Sequence, residues 1–391
     1  MDSAPLPLAL YFHWPFCRSK CAYCAFNSVT VPLFTDKEEE VWVRALIASL
    51  EWHVHHILGN HVSSYVLQSI FFGGGTPSLL APSSVSHLIE YVRTIWRVDF
   101  SSTEITLEAN PDTITPDRLA AFSQAGINRL SLGIQALSST DLARLGRTHS
   151  LECAQQAISW ARDQFINYNL DFIYKRHGQS LQMWKKELAK IFTLNSPHLS
   201  LYELTIEPGT LIKRHAERSK ASRTGNFLEL TLHLAEENGY TAYEISNFCK
   251  QQFACKHNLA YWRYQDYLGI GPGAHSRISQ KSKHMALTAF SNLAEWQNSA
   301  NKNKGGLATK HYLSSRERLI EHLLMGLRVK EGVLWQQLEN SAGTKLVRAL
   351  QTSSHLRILR EQNILIETQS GIAVSPKGRL LIDGIVSYLN I

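Results

Sequence analysis

Short apolar, β-rich runs alternate along the chain with longer stretches whose apolar residues recur at helical spacing. The runs fall at residues 9–13, 68–72, 104–108, 129–134, 168–174 and 198–205. Between them, residues 41–57, 84–96, 115–125, 151–165 and 181–192 carry the i, i+3, i+4 repeat of amphipathic helices. Strands separated by helices pair in parallel, because a parallel crossover needs a dozen or more residues, and the helices then cover the sheet. The pattern predicts an α/β fold with six β/α units. Periodicity alone leaves two architectures open, a partial barrel and a doubly wound sheet.

Sheets of this kind bind ligands beyond the C-terminal ends of their strands, and the polar motifs fall at those ends. Gly73-Gly74-Gly75-Thr76-Pro77-Ser78 follows the second run, Glu108 and Asn110 the third and Gln135 the fourth, while Asp171 lies in the fifth. They are expected to converge on one mouth, with the loop after the first strand above it.

Near residue 212 the rhythm stops. Residues 1–211 therefore read as the barrel, 212–290 as a mixed segment that closes it, and 291–312, which contains Asn-Lys-Asn-Lys-Gly-Gly, as a linker. Residues 313–391 read as a smaller domain. It has helices at 316–329, 333–339 and 354–362, two strands at 364–367 and 372–374 about Gly371, and a closing helix at 378–389. Helices followed by a small hairpin predict a winged-helix-like unit.

With 44 % hydrophobic and 19 % charged residues in 391, the chain has globular composition. Six cysteines in that length do not make a disulfide framework, and they imply a reducing compartment: the cytoplasm or, alternatively, the mitochondrial matrix. Asp2 and the lack of arginine before Arg18 argue against a signal or transit peptide. No uncharged apolar run reaches 18 residues, so a soluble protein without a membrane span is expected. The net charge of +7 suits nucleic acid, an acidic membrane surface or anionic ligands. The C-terminal tail lacks a dense Lys/Arg stripe, which ranks nucleic acid last.

Cys17, Cys21 and Cys24 form Cys-x-x-x-Cys-x-x-Cys directly after the first strand. Three thiolates on one tight loop can hold three irons of a 4Fe-4S cluster and leave the fourth open to a chelating ligand. Ferredoxin runs supply four cysteines, and zinc sites use Cys-x-x-Cys pairs. The glycines after the second strand, lacking Cβ atoms, let backbone pass close to whatever sits beside them.

On the triplet and these strand-end motifs the chain resembles the radical S-adenosylmethionine (radical SAM) enzymes. Within them it resembles the HemW haem chaperones, relatives of the oxygen-independent coproporphyrinogen oxidases. The resemblance implies a partial (β/α)6 radical SAM barrel with a smaller C-terminal winged-helix-like HemW domain. It implies a 4Fe-4S cluster on Cys17, Cys21 and Cys24 and S-adenosylmethionine bound to the open iron through its amino and carboxylate groups. Implied contacts to that ligand are Gly74, Gly75, Thr76 and Pro77 of the glycine motif, then Glu108, Gln135, Arg147 and Asp171. Tyr11, Tyr23, Thr205 and His275 match weaker positions of the family.

His257-Asn258-Leu259-Ala260-Tyr261-Trp262 resembles the His-Asn-x-x-Tyr-Trp motif of the HemW group, which implies His257 as a haem ligand with the aromatic rings against the macrocycle. The same string reads equally as an aromatic core segment. Cys249, Cys255 and Cys153 read as buried thiols. One loop departs from the family: Lys175-Arg176-His177-Gly178 stands where relatives carry Gly-x-Pro-Gly, which changes the allowed dihedrals.

The function so implied is a haem chaperone that passes haem to acceptor proteins and draws on an electron donor for its cluster; a homodimer is among the arrangements open to it. The alternative is a radical SAM oxidoreductase acting on a porphyrinogen. Coproporphyrinogen oxidases carry a fourth cysteine two residues past the triplet and a long N-terminal extension. This chain has Phe26 there and ten residues before Tyr11, both of which favour the chaperone.

Overall fold

The computed structural model describes residues 5–31, 34–96, 100–212, 227–280 and 283–389. Six parallel strands lie side by side: β1 (Leu6–Trp14), β2 (Tyr65–Gly74), β3 (Glu104–Ala109), β4 (Arg129–Gln135), β5 (Asn167–Tyr174) and β6 (His198–Glu203). All six were expected, and they stand in chain order. A doubly wound sheet reverses its order at a switch point; here no reversal occurs, so the sheet curls one way as a partial barrel.

Every residue of β4 is buried, as a parallel strand covered on both faces requires. The cover comes from α1 (Asp36–His53), α2 (Pro82–Trp96), α3 (Pro116–Gln124), α4 (Ser139–Arg144), α5 (Leu151–Gln164) and α6 (Leu181–Thr193). In α2 the stripe Val85, Leu88, Ile89, Val92 and Trp96 faces inward. Thr35, Thr115, Ser138, Ser150 and Ser180 cap the N-termini of α1, α3, α4, α5 and α6 by accepting a backbone N–H of the first turn.

The sheet does not close. Past β6 it adds β7 (Thr241–Ala242) and β8 (Asn247–Cys249), antiparallel; past β1 it adds β9 (Asp266–Ile270), parallel to β1, and then an antiparallel meander of β10 (His275–Gln280), β11 (Lys283–Ala289) and β12 (Leu307–Tyr312). The result is a twelve-stranded sheet ending at β12, most of whose residues are exposed. The ammonium groups of Lys283 and Lys310 lie 5.7 and 5.5 Å from the Tyr312 ring centre. Two helices, α7 (Phe227–Glu237) and α8 (Lys256–Trp262), precede β9.

Residues 291–312 are not a linker. They contain α9 (Leu293–Asn301) and β12, and Trp296 is fully buried, stacked on Trp42 of α1 at 5.8 Å. The Asn-Lys-Asn-Lys-Gly-Gly string is the tight turn between them, held where Ser49 donates to the Gly305 carbonyl at 2.7 Å.

Beyond β12, α10 (Ser315–Gly326), β13 (Val333–Leu334), α11 (Trp335–Ala342), α12 (Thr344–Gln351), α13 (Ser354–Glu361), β14 (Leu365–Glu367), β15 (Gly371–Val374) and α14 (Ile382–Leu389) surround a separate core of Leu319, Leu323, Leu338, Val347 and Leu356. The start of the 333–339 helix is instead β13, because Val333 and Leu334 pair with the hairpin to make a three-stranded sheet. Arg277 to Glu321 at 2.8 Å and Arg263 to Glu331 at 2.7 Å tie this unit to the barrel side. Among the described residues no helix is long and apolar enough to cross a membrane.

Candidate functional site: a three-cysteine cavity at the strand ends

The cysteine loop is fixed at several points. Phe16–Cys17 and Val29–Thr30 pair as two-residue strands at its neck, and the Ala22 N–H donates to the Leu145 carbonyl at 3.1 Å beside α4. Lys20 donates to the carbonyls of Phe26 and Ser28. Asn27 donates to the carbonyls of Pro272 and Ser291, which pins the loop to the β9–β11 side. All three loop thiols are free.

These thiols line one cavity together with Tyr23, Gly74, Gly75, Thr76, Pro77, Glu108, Asn110, Gln135, Arg147 and Asp171. The expected convergence is therefore present. The structure adds a belt of side chains behind it. Arg147 donates to Cys21 Sγ at 3.2 Å, to Asn110 Oδ1 at 2.7 Å and to the Gly133 carbonyl at 2.8 Å. Asn110 donates to Thr76 Oγ1 at 3.2 Å, and the Thr76 hydroxyl is hydrogen-bonded with Cys17. Burial raises the Cys17 thiol, and that bond works against the rise. Among the described residues, Arg147 Nε is buried without a partner. An orphaned cationic N–H beside three free thiols is a donor set that fits an anionic ligand and a thiolate-bound centre.

Two glycines owe their identity to packing. A Cβ at Gly75 would sit 2.7 Å from the Phe16 carbonyl oxygen, and one at Gly74, whose φ is +108°, would sit 2.5 Å from the His13 ring. The close approach thus seats the motif against β1 and the neck of the cysteine loop as well as opening its other face to the cavity. Gln135 has φ +73° where the β4 to β5 register shifts, a strained conformation for a side-chain-bearing residue that turns it into the cavity wall.

Glu108 accepts from the Gly74 N–H at 3.1 Å. Burial, then the nearby Asp171 carboxylate, push its pKa up to about 7, against the pull of that hydrogen bond. Asp171 is raised by burial too, although Asn169 donates to its Oδ1 at 2.7 Å. Tyr11 stands behind this pair, its hydroxyl 3.1 Å from His13 Nδ1, while His13 Nε2 donates to the Asn27 carbonyl at 2.8 Å. Tyr23 packs on Ala136, Leu142 and Leu145.

A second chamber adjoins the first, sharing Tyr23, Cys24, Phe26, Glu108, Gln135 and Asp171 with it; Thr205, Tyr202 and Asn258 line it. His275 lies in neither. It borders a neighbouring groove on the far side of Phe26. His257 also reaches neither chamber. Its Nδ1 pairs with Ser69 Oγ at 2.8 Å and its Nε2 with Tyr261 OH at 2.8 Å, with Phe71 stacked at 4.8 Å. Burial lowers its pKa to about 3. Cys249 and Cys255 are buried, the latter donating to Glu104.

Two contributors escaped the sequence. Asn110 was placed at a strand end without a role, and the signal available was its position two residues past Glu108. Arg176, in the divergent loop, is buried and donates to Asp141 of α4 at 3.0 Å, to Glu187 of α6 and to the Ile173 carbonyl. Lys175 takes φ +58° and Gly178 +73°. A charged anchor thus does here what a Gly-Pro turn does by stiffness.

Comparison with known proteins agrees with the geometry. The Radical SAM superfamily model matches residues 11–191 and the HemN C-terminal domain model residues 313–381. The heme chaperone HemW of Haemophilus influenzae is 32 % identical over 386 residues, 96 % of each chain. That of Escherichia coli K12 is 39 % identical over 276 residues, 70 % of this chain and 71 % of its own. The mitochondrial radical S-adenosyl methionine domain-containing protein 1 of Danio rerio is 32 % identical over 99 % of this chain and 87 % of its own. In fold, the coproporphyrinogen III oxidase HemN of E. coli superposes with TM-score 0.79 at 21 % identity, covering 99 % of this chain and 91 % of that one. A radical SAM protein is therefore the class that fold and cavity define, and within it the chain belongs to the HemW family.

Proposed function

We propose that the protein is a haem chaperone that binds haem and hands it to acceptor proteins, carrying a 4Fe-4S cluster on Cys17, Cys21 and Cys24 and an exchangeable S-adenosylmethionine. The observation that supports this most is the cavity, where three free thiols meet a glycine-floored pocket and an arginine with an unpartnered N–H. When bound, the cluster supplies one-electron reduction to the sulfonium ligand.

The chain's own residues set the surroundings. The Arg147 guanidinium donates to Cys21 Sγ and holds charge ready for a carboxylate. Gly74, Gly75, Thr76 and Pro77 offer main chain and a hydroxyl; Glu108 and Asp171 accept from hydroxyl groups; the Gln135 amide closes the side. Tyr11 and Tyr23 brace this set, and Thr205 stands at the rim of the second chamber.

A porphyrinogen-oxidising enzyme is the second reading, favoured by a second chamber that shares its wall with the thiol cavity, which would seat a substrate beside the cluster side. Phe26 at the place of those oxidases' extra cysteine favours the chaperone. Anaerobic reconstitution separates the two. The chaperone binds one haem per chain, transfers it to an apo haem protein, and leaves coproporphyrinogen unconverted with S-adenosylmethionine and reductant present. Decarboxylation at enzyme-like turnover, or no haem binding, would overturn it.

A further inference from the structure

The histidines differ in what they leave free. His257, His13 and His198 are each bonded at both ring nitrogens inside the protein. A ring held at both nitrogens takes iron only by breaking a buried hydrogen bond and stranding its partner, a penalty of about 1–3 kcal/mol. His275 is different. It opens β10 with its side chain exposed, and among the described residues its one hydrogen-bonding neighbour is the Thr288 hydroxyl, a long 3.5 Å from Nδ1. Its Nε2 is free.

The groove beside it has apolar walls from Ala25, Phe26, Ala289, Phe290 and Ala308, with Asn27, Thr288, Ser291 and the Glu295 carboxylate among the polar groups that complete it. Phe26 is 64 % exposed among the described residues, a large aromatic face on the same loop as the three cysteines. The groove is built rather than incidental: Asn27 bonds to Pro272 and Ser291 on its two sides, and Gly273, at φ +77°, packs so tightly on Asn27 that a Cβ there would lie 2.8 Å from its amide nitrogen. Among the histidines of the described residues, His275 is the one that lines a cavity against the cysteine loop.

We propose that His275 is the axial ligand of the haem iron, with the macrocycle lying in the groove between the cysteine loop and the β10–β11 hairpin against the ring of Phe26. The inference rests on the haem-chaperone reading and supplies the cargo site that reading lacks. Ligation needs a neutral imidazole, and partial desolvation of the ring, then the neighbouring Arg277, hold His275 below its ordinary 6.5. The cargo then sits on one side of Phe26 and the thiol cavity on the other, since that ring lines both.

The test is a haem titration of the reconstituted full-length chain, read by the Soret band, with circular dichroism and iron content as checks on each variant. His275→Ala should move the Soret band and weaken haem at least about tenfold, and added imidazole should restore the wild-type spectrum. Phe26→Ala should weaken haem without changing the ligand signature. His257→Gln should leave the spectrum as it was, and the effect of S-adenosylmethionine on the reduced cluster's EPR signal should survive in His275→Ala. An unchanged Soret band and affinity in His275→Ala overturn the assignment while the chaperone reading stands. Absence of haem binding by the unmodified chain removes that reading, and this site with it.

Discussion

The thiol cavity and the pocket around the His257 ring lie close together, with Tyr11 and Phe71 packed against that ring, and are opposites in how they treat polar atoms. In the cavity, three thiols are unpaired with one another, Arg147 Nε has no partner among the described residues, and burial and Asp171 push the Glu108 pKa up to about 7. Around His257, Ser69, Tyr261 and Glu104 meet both ring nitrogens and the backbone N–H. Buried polar groups in proteins are satisfied unless a ligand completes them. The first region is thus arranged to receive something, and the second to hold α8 onto β2 and β3.

The largest effect expected on this contrast is at the thiols. Replacing Cys17, Cys21 and Cys24 together by Ala should abolish the cluster's visible absorption and reduced-state EPR signal after reconstitution, with little change in melting temperature. A full cluster in the triple variant would break the comparison. At the sealed site the expectation reverses: His257→Ala strands Ser69 and Tyr261 and empties a buried ring, and should cost about 3 kcal/mol of stability. Urea unfolding measures it, and a loss under 0.5 kcal/mol would show that the region is not the packed element described.

Smaller, and informative about the belt, is Arg147→Ala, which should weaken S-adenosylmethionine binding by about 2 kcal/mol, the worth of one charge-assisted hydrogen bond. Unchanged affinity by calorimetry would move the carboxylate contact elsewhere. Smallest is a pH effect. Glu108 has a folded pKa of about 7, above its ordinary 4.5, so the folded state binds the extra proton between those values and stability falls as pH rises through them. Glu108→Gln, which cannot ionise, should lose that slope and gain progressively on wild type as pH rises from 5 to 8 in the ligand-free protein. Parallel stability curves for the two proteins would contradict the assigned environment.

What the sequence exposed and what it hid follow from physics. Parallel strands buried on both faces read as continuous apolar runs, so β1 to β6 were legible. The triplet and the glycine motif are local, and a local pattern needs no fold to be recognised. Short elements were not legible: α4 has six residues, fewer than two turns, and shows no periodicity. The meander β10 to β12 was lost because its strands are half exposed and rich in small and polar residues. Arg176 meets Asp141 and Glu187 only after 35 and 11 residues of intervening chain fold, and no spacing rule announces such a convergence. The motif histidine taught the reverse. Its neighbours in sequence suggested a ligand, and its neighbours in space occupy both nitrogens.

A barrel that closes has no edge, whereas this sheet ends at β12, which among the described residues pairs with β11 alone. Such an end is a template on which another strand can grow, and proteins commonly guard it with lysine. Lys310 on the edge and Lys283 behind it, both over Tyr312, place positive charge along the rim, so a second copy approaching edge to edge meets its own charge. That repulsion reaches about one Debye length, about 8 Å at physiological ionic strength, so added salt should weaken it. Light scattering of a Lys283→Thr, Lys310→Thr protein should show self-association already at low salt, and none at any salt would mean that the open end is guarded by something other than charge.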